Sequence, residues 1–345
     1  MKTTVIDTTQ AMTVARQIAL QSRSLRGSAA APAGPIDLSY WYGTEHLHAL
    51  AALVAPIARV DDVNLRRFLQ VAFSVTARRL SLADPRVAVP VRLRPDRYAE
   101  EHWLRHAADK RFSWLESVDA ADEFVAACRA NAERVDALAT AAPPQGVSRI
   151  VDDARQVGGA GLGPIDLVIT SPPYAGAQKY VRSSSLALVW LGLAEGRTIR
   201  SLEQNGIGRE YAPKRDYDEP PVSTGLAEAD DLIVRIREVN PLRAQLVATY
   251  LREMSEAVSA IVRVLNPGGR LVLIAGGNRV AGQDFPTHHF LNDLVAAAGL
   301  EKELELVDDI RSRGLMTKRK RTASVIDSER VSVFRKILDV SERPS

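Results

Sequence analysis

The segment that most constrains this chain is Asp166–Tyr174. There an apolar run, Leu167-Val168-Ile169, passes through Thr170 straight into Ser171-Pro172-Pro173-Tyr174. The run from Asp166 to Thr170 predicts a buried β-strand. In an open α/β sheet, ligands collect beyond the carboxyl ends of the strands, which is where the next four residues fall. Two consecutive prolines fix φ twice and remove two amide donors, leaving a rigid backbone rich in acceptors. Ser171 adds a hydroxyl and Tyr174 an aromatic plane. Such a loop suits an exocyclic amino group on a heterocycle. The Ser171 oxygen and the Pro172 carbonyl accept its two hydrogens, while the Tyr174 ring stacks on the heterocycle. Orienting the nitrogen lone pair toward a methyl donor then supplies most of the catalysis, with no strong base needed beforehand. The bland alternative is a proline-rich turn that caps a strand.

The surrounding chain changes texture twice. Residues 1–26 predict a short helix with Met12, Ala15, Ile18 and Ala19 on one face, and residues 27–36 a flexible connection. From 37 to 142 the pattern is mostly helical. One helix carries Leu65, Phe68, Leu69, Ala72, Phe73 and Thr76, and another, near 120–139, carries Phe124, Ala127, Cys128, Ala132, Val135 and Leu138. Between them Asp84–Tyr98 holds three prolines and predicts a loop. Beyond residue 143 strands alternate with helices: a β-like run at Arg149–Val151, the Asp166–Thr170 strand, an amphipathic helix over 241–265, a strand at Arg270–Ala275, a helix at Phe290–Ala298, and closing strands at Glu303–Val307 and Val331–Lys336. That alternation indicates an α/β sheet. The charged segment 199–240, with its glycines and prolines, predicts mobile loops.

Ser-Pro-Pro-Tyr after an apolar strand resembles the catalytic motif of S-adenosylmethionine-dependent DNA amino-methyltransferases. A serine start is more typical of the cytosine-N4 enzymes and an aspartate start of the adenine-N6 enzymes. The resemblance continues through Ala177–Ser183, Leu191-Gly192-Leu193, Ile207-Gly208-Arg209-Glu210, Leu265–Arg270 and Ser328-Glu329-Arg330-Val331, and upstream from Phe68-Leu69 to Arg78-Arg79-Leu80-Ser81. It spans roughly residues 37–337. It implies an α/β, Rossmann-like class I methyltransferase fold with a helical insertion. The parts are then 1–36, an N-terminal helix and linker; 37–142, an insertion suited to target recognition; and 143–345, the catalytic core. Ser171, Pro172, Pro173 and Tyr174 are the expected catalytic residues. Asp153 matches the family's acceptor for the cofactor's adenine amino group, with Asp152 as fallback, and Thr170 lies beside the same cofactor. For Asp153 the alternative is a helix cap or a solvated turn.

One family motif is missing. The glycine-rich Asp-Pro-Phe-x-Gly-x-Gly loop, which lets the backbone approach the methionine end of the cofactor, occurs nowhere in the chain. Gly158-Gly159-Ala160-Gly161-Leu162-Gly163 precedes the strand and reads as a turn; Gly276-Gly277-Asn278 follows the wrong strand. The resemblance therefore implies an incomplete sheet with an open apolar edge at Asp166–Thr170, because the family's first two strands lie there. Residues 1–26 resemble the helix that follows the second strand. The expectation is a split enzyme whose partner subunit supplies the glycine loop; the rival is a non-catalytic nucleic-acid-binding remnant. Adenine-N6 or RNA methylation stays open, and a protein glutamine methyltransferase would start its motif with asparagine.

Charge refines the choice of partner. The chain carries 45 basic and 42 acidic side chains, so its distribution matters more than its net +3. Arg311, Arg313, Lys318, Arg319, Lys320 and Arg321 form an acid-free cluster suited to DNA phosphates, or to solvent alone. Arg78-Arg79, Arg92, Arg94 and Arg97 can extend that track. Tyr180 and Arg182 either contact the displaced nucleotide or pack a helix. His288-His289 has no partner at metal-ligand spacing, so no metal is expected. The single cysteine, Cys128, excludes an internal disulfide and a cysteine zinc knuckle. Its apolar helix face speaks against covalent C5-cytosine chemistry. With no secretory signal and no apolar run of roughly 18 residues, the expected location is cytoplasmic.

Overall fold

A computed structural model describes residues 6–141, 153–159, 161, 165–175, 179–310 and 328–337. The Arg149–Val151 run, Asp152 and the cations from Arg311 to Arg321 lie outside them. The chain forms two compact units.

The first unit is helical and contains, of the described residues, 6–141 and 180–202. Its main helices are α1 (Thr8–Leu25), α2 (Thr44–Ala58), α3 (Val63–Leu80), α4 (Trp103–Ser117) and α5 (Ala120–Ala141). Short helices α6 (Tyr180–Ser183) and α7 (Ser185–Trp190) follow, then α8 (Ile199–Gln204) at the change of unit. Asp7 and Asp62 cap α1 and α3, satisfying the first free amides of each helix. Ala15, Ile18 and Ala19 of α1 are buried, as the spacing predicts, with Ala11 buried and the expected Met12 only half-buried; Leu65, Phe68, Leu69, Ala72, Phe73 and Thr76 of α3 are buried as predicted. Trp190 of α7 is buried edge-on to Tyr42 and Phe73, at ring distances of 5.5 and 5.8 Å. That contact explains why residues 180–202 join the helices rather than the sheet with which the sequence reading grouped them. Cys128 lies wholly inside this core, and burial pushes its thiol up to about 12.

The second unit holds a four-stranded sheet in the order β1 (Ile165–Thr170), β2 (Leu265–Ala275), β6 (Ser328–Lys336), β5 (Leu300–Asp309). β1 and β2 are parallel, with Thr170 opposite Leu273, and the other two pairings are antiparallel. A small hairpin, β3 (Asn278–Val280) with β4 (Gln283–Phe285), follows β2. Helices α9 (Arg215–Asp218), α10 (Ala227–Val239), α11 (Pro241–Val264) and α12 (Thr287–Ala297) complete the unit.

The turn into β2 depends on glycine twice. Gly268 has φ +78°, and a Cβ on Gly269 would stand 2.8 Å from Leu265 Cδ2 and 2.9 Å from Asn266 O. Residues Leu271, Leu273 and Ala275 of β2 and Phe334 of β6 pack under α10, α11 and α12. Two expectations change. The segment 199–240 is not only loop: α10 buries Ala229, Leu232, Ile233 and Ile236 at helical spacing. The Asp166–Thr170 strand is not buried on both sides. Among the described residues it is an edge strand, as the missing family strands imply, and Leu167 and Ile169 are 52% and 64% exposed. Among the described residues no helix is long and apolar enough to cross a membrane.

Candidate functional site

The Ser171–Tyr174 loop leaves the carboxyl end of β1 with Ser171 exposed, Pro172 buried, and Pro173 and Tyr174 half-buried. Three contacts from distant segments brace it. Gly208 packs against it at φ +80°, so close that a Cβ there would lie 3.0 Å from Tyr174 O and 3.1 Å from Pro173 Cβ. Asn278, at the start of β3, donates from Nδ2 to Ala175 O at 3.1 Å, while its own Oδ1 accepts from Thr287 Oγ1 at 3.0 Å. The Tyr174 hydroxyl donates to Glu329 Oε1 at the start of β6. Because β6 is antiparallel to β2, its first residues stand at the carboxyl end of the parallel pair, with Ala275 opposite Arg330. The loop is thus fixed by prolines in its own backbone and by three partners outside it. That is the preorganisation a positioning site requires.

Asp153 precedes a 3-10 turn, Ala154–Gly159, and is engaged locally. Its carboxylate accepts from Arg155 N at 3.0 Å and from the Arg155 guanidinium at Nε (3.0 Å) and Nη2 (2.7 Å). Those hydrogen bonds hold the carboxyl below its ordinary value. Arg155 also reaches Glu253 Oε1 at 3.1 Å, and Arg209 meets the same oxygen at 2.8 Å. Glu253 is 8% exposed, and its Oε2 has no hydrogen-bond partner among the described residues. Gly208 and Arg209 are adjacent, so this buried carboxylate ties the segment that braces Pro173 to the segment that carries Asp153. Lys179, just after the loop, pairs with Glu210 at 3.3 Å.

The sheet unit therefore contains Asp153, Thr170, Ser171, Pro172, Pro173 and Tyr174. Tyr180 and Arg182 are placed otherwise. They form part of α6 in the helical unit, with both side chains exposed. Arg313, Lys318, Arg319, Lys320 and Arg321 lie outside the described residues. Sequence reasoning missed Asn278, Glu253 and Glu329 as site residues. A glutamate among the apolar positions Tyr250, Met254 and Ala257 of α11 was a readable sign of a buried ion pair; nothing local marked Glu329. Among the described residues no group of three or more His, Cys, Asp or Glu is placed to hold a metal ion.

No protein-family model matches the chain, and no curated protein does. Solved structures similar to it include that of TTHA0409 from Thermus thermophilus, assigned as a DNA modification methylase. The identity is 19%, the TM-score 0.28, and 56% of each chain is covered. The crystal structure of the same protein complexed with S-adenosyl-L-methionine gives 18% identity and a TM-score of 0.28, covering 56% of this chain and 57% of that one. The chain spans just over half the length of these structures.

Proposed function

We propose that this chain holds the acceptor base during S-adenosylmethionine-dependent methylation of an exocyclic amino nitrogen in DNA, with cytosine N4 the preferred acceptor. The observation that carries the proposal is the braced Ser171–Tyr174 loop at the carboxyl end of β1. Its rigid acceptors, the Ser171 oxygen and the Pro172 carbonyl, orient an amino group, and the Tyr174 ring, steadied through its hydroxyl by Glu329, stacks on the base. The base leaves the helical stack to reach them. Arg313, Lys318, Arg319, Lys320 and Arg321 bind the DNA backbone, and Tyr180 and Arg182 contact the displaced nucleotide.

The cofactor supplies a methyl group on a sulfonium centre. The residues present fit only one end of that molecule. Asp153 has the chemistry to accept from an adenine amino group once Arg155 yields one of its oxygens, and Thr170 stands at the end of β1. Nothing in the sequence replaces the glycine loop at the other end. A second polypeptide that adds strands to the open edge of β1 and brings that loop would complete the pocket. A heteromer, a soluble cytoplasmic setting and a role in restriction-modification belong to the same proposal. One observation favours a second reading, a non-catalytic nucleic-acid-binding subunit: both Asp153 oxygens are already committed to Arg155.

Methylation-sensitive sequencing of DNA from a host expressing the chain with its complementing polypeptide tests the choice. The expected mark is N4-methylcytosine, reduced at least ~100-fold by Ser171→Ala and by Tyr174→Ala in folded protein. N6-methyladenine would move the acceptor, and a mark on RNA the substrate. Full methylation in both variants would falsify the site.

A further inference from the structure

The connection between α3 and α4, residues 81–102, has almost no regular structure, yet it is held firmly. Loops this long are usually functional when they are ordered. Here Leu82 N donates to Trp41 O at 2.7 Å, Asp84 N to Val91 O at 2.7 Å, and Leu93 N to Leu82 O at 2.9 Å. From below, the half-buried Arg78 donates to the carbonyls of Asp84 (3.0 Å) and Val87 (2.7 Å).

This fixed loop turns aromatic rings toward water. Trp103 is 65% exposed, and Tyr40 and Tyr98 are exposed as well. Tyr98, His102 and Trp103 form a near-parallel series, with ring centroids 5.1 and 6.2 Å apart and planes inclined by 22°. His102 is fixed in that series because it caps α4, its Nδ1 accepting from Leu104 N at 3.1 Å. Arginines border the rings: Arg86 stands 5.3 Å from the Trp103 centroid and Arg92 4.5 Å from that of Tyr40. The charge surplus is small, since residues 84–111 hold seven Lys or Arg against five Asp or Glu. Arg86, Arg94 and Arg105 are paired with Asp84, Asp96 and Asp109, whereas Arg92 and Arg97 have no ion pair among the described residues.

An ordered aromatic series open to water, in a loop with two guanidiniums that have no ion pair among the described residues, Arg92 resting on the Tyr40 ring, matches a strand of unpaired bases better than a rigid duplex. We infer that this surface of the helical unit binds a single-stranded polynucleotide segment. Its bases extend the Tyr98–His102–Trp103 series, and Arg92 and Arg97 meet its phosphates. The two arginines select a polyanion over a peptide. The inference rests on the proposed function only in taking a nucleic acid as partner.

The test is fluorescence anisotropy of the full chain with a labelled fifteen-nucleotide oligothymidylate, without cofactor. Binding is expected, with Trp103→Ala weakening it about tenfold or more and Trp103→Phe keeping it within about threefold. Two phosphate contacts predict a slope of log K against log salt of about −1.4. The Arg92→Ala, Arg97→Ala double variant should flatten that slope. No binding by the wild type, or unchanged binding by Trp103→Ala, overturns the inference. A steep slope insensitive to the two arginines does so as well, because it places the contact elsewhere. Val239→Ser, at an exposed position of α10, serves as the control and should bind as the wild type does. If Ser171→Ala methylates normally while Trp103→Ala weakens binding, the catalytic proposal fails and this surface stands.

Discussion

The two faces of the four-stranded sheet are built from the same kinds of residue and end in opposite environments. On one face Leu271, Leu273, Ala275 and Phe334 are buried beneath α10, α11 and α12. Alternation and register place Ile169 of β1, Val272 and Ile274 of β2, Val331 and Val333 of β6, and Leu304 and Leu306 of β5 side by side on the other, with Leu167 on the same face opposite Arg270. The central valines and isoleucine there are half-buried only, and the outer residues are 47–64% exposed. Sheets with parallel pairing are ordinarily covered on both faces, and an apolar area this continuous marks a surface made to be covered. The two edges differ in the same sense. β5 is guarded by charge, with Glu303 paired to Arg270 and Glu305 to Lys302, whereas β1 offers Asp166 alone among its six residues. Both contrasts fit the proposed partner polypeptide, which would dock along β1 and over this face.

The contrast is sharpest where a charge is placed on each face in turn. Leu273→Asp, on the covered face, buries an unpaired carboxylate and is expected to cost about 4–5 kcal/mol or more, abolishing cooperative urea unfolding of the sheet unit. Leu167→Ser with Ile169→Ser, on the bare face, should change that stability by less than about 0.5 kcal/mol. The pair should also reduce self-association in sedimentation and binding of an apolar dye. A loss as large as that of Leu273→Asp would show that something in this chain already covers the face.

A smaller effect separates the two ends of the site. The Asp153 carboxyl is held below its ordinary value of 3.8 by Arg155, so the folded state prefers its charged form. The stability it contributes is therefore complete above that ordinary value and is lost as pH falls through the lower, folded one. Urea melts of wild type and Asp153→Asn should differ at pH 6, and the difference should shrink as pH falls below 3.8. An equal difference across that range would mean that Arg155 is not its partner.

Much of this was readable along the chain. Periodicity placed α1, α3, α5, α11 and the strands β1, β2, β5 and β6, because each rests on contacts within its own segment or on a face set by alternation. The helix α10 reads as loop because its charged start, Ala227–Asp231, follows a run of prolines and glycine. Only Leu232, Ile233 and Ile236 betray the buried side. Three apolar residues in β1 promised burial on both faces, but burial is a property of neighbours, and the neighbours are not in this segment. For the site, Ser171–Tyr174 stood out because prolines act on their own backbone. Its braces did not. Glu329 is 155 residues from Tyr174, and that pairing follows from the reversal of β6 beside β2. Arg155, two residues from Asp153, is within reach of a local reading, and its hydrogen bonds hold that carboxylate.

On the proposed reading this chain grips the acceptor base and the adenine end of the cofactor, and leaves the methionine end to a partner. Titration calorimetry of the purified chain with S-adenosylmethionine tests it most directly, with far-UV circular dichroism run on the same sample. The account predicts a folded chain with no measurable heat of binding until the complementing polypeptide is added, and one-to-one binding after that. Tight one-to-one binding by the chain alone would contradict it.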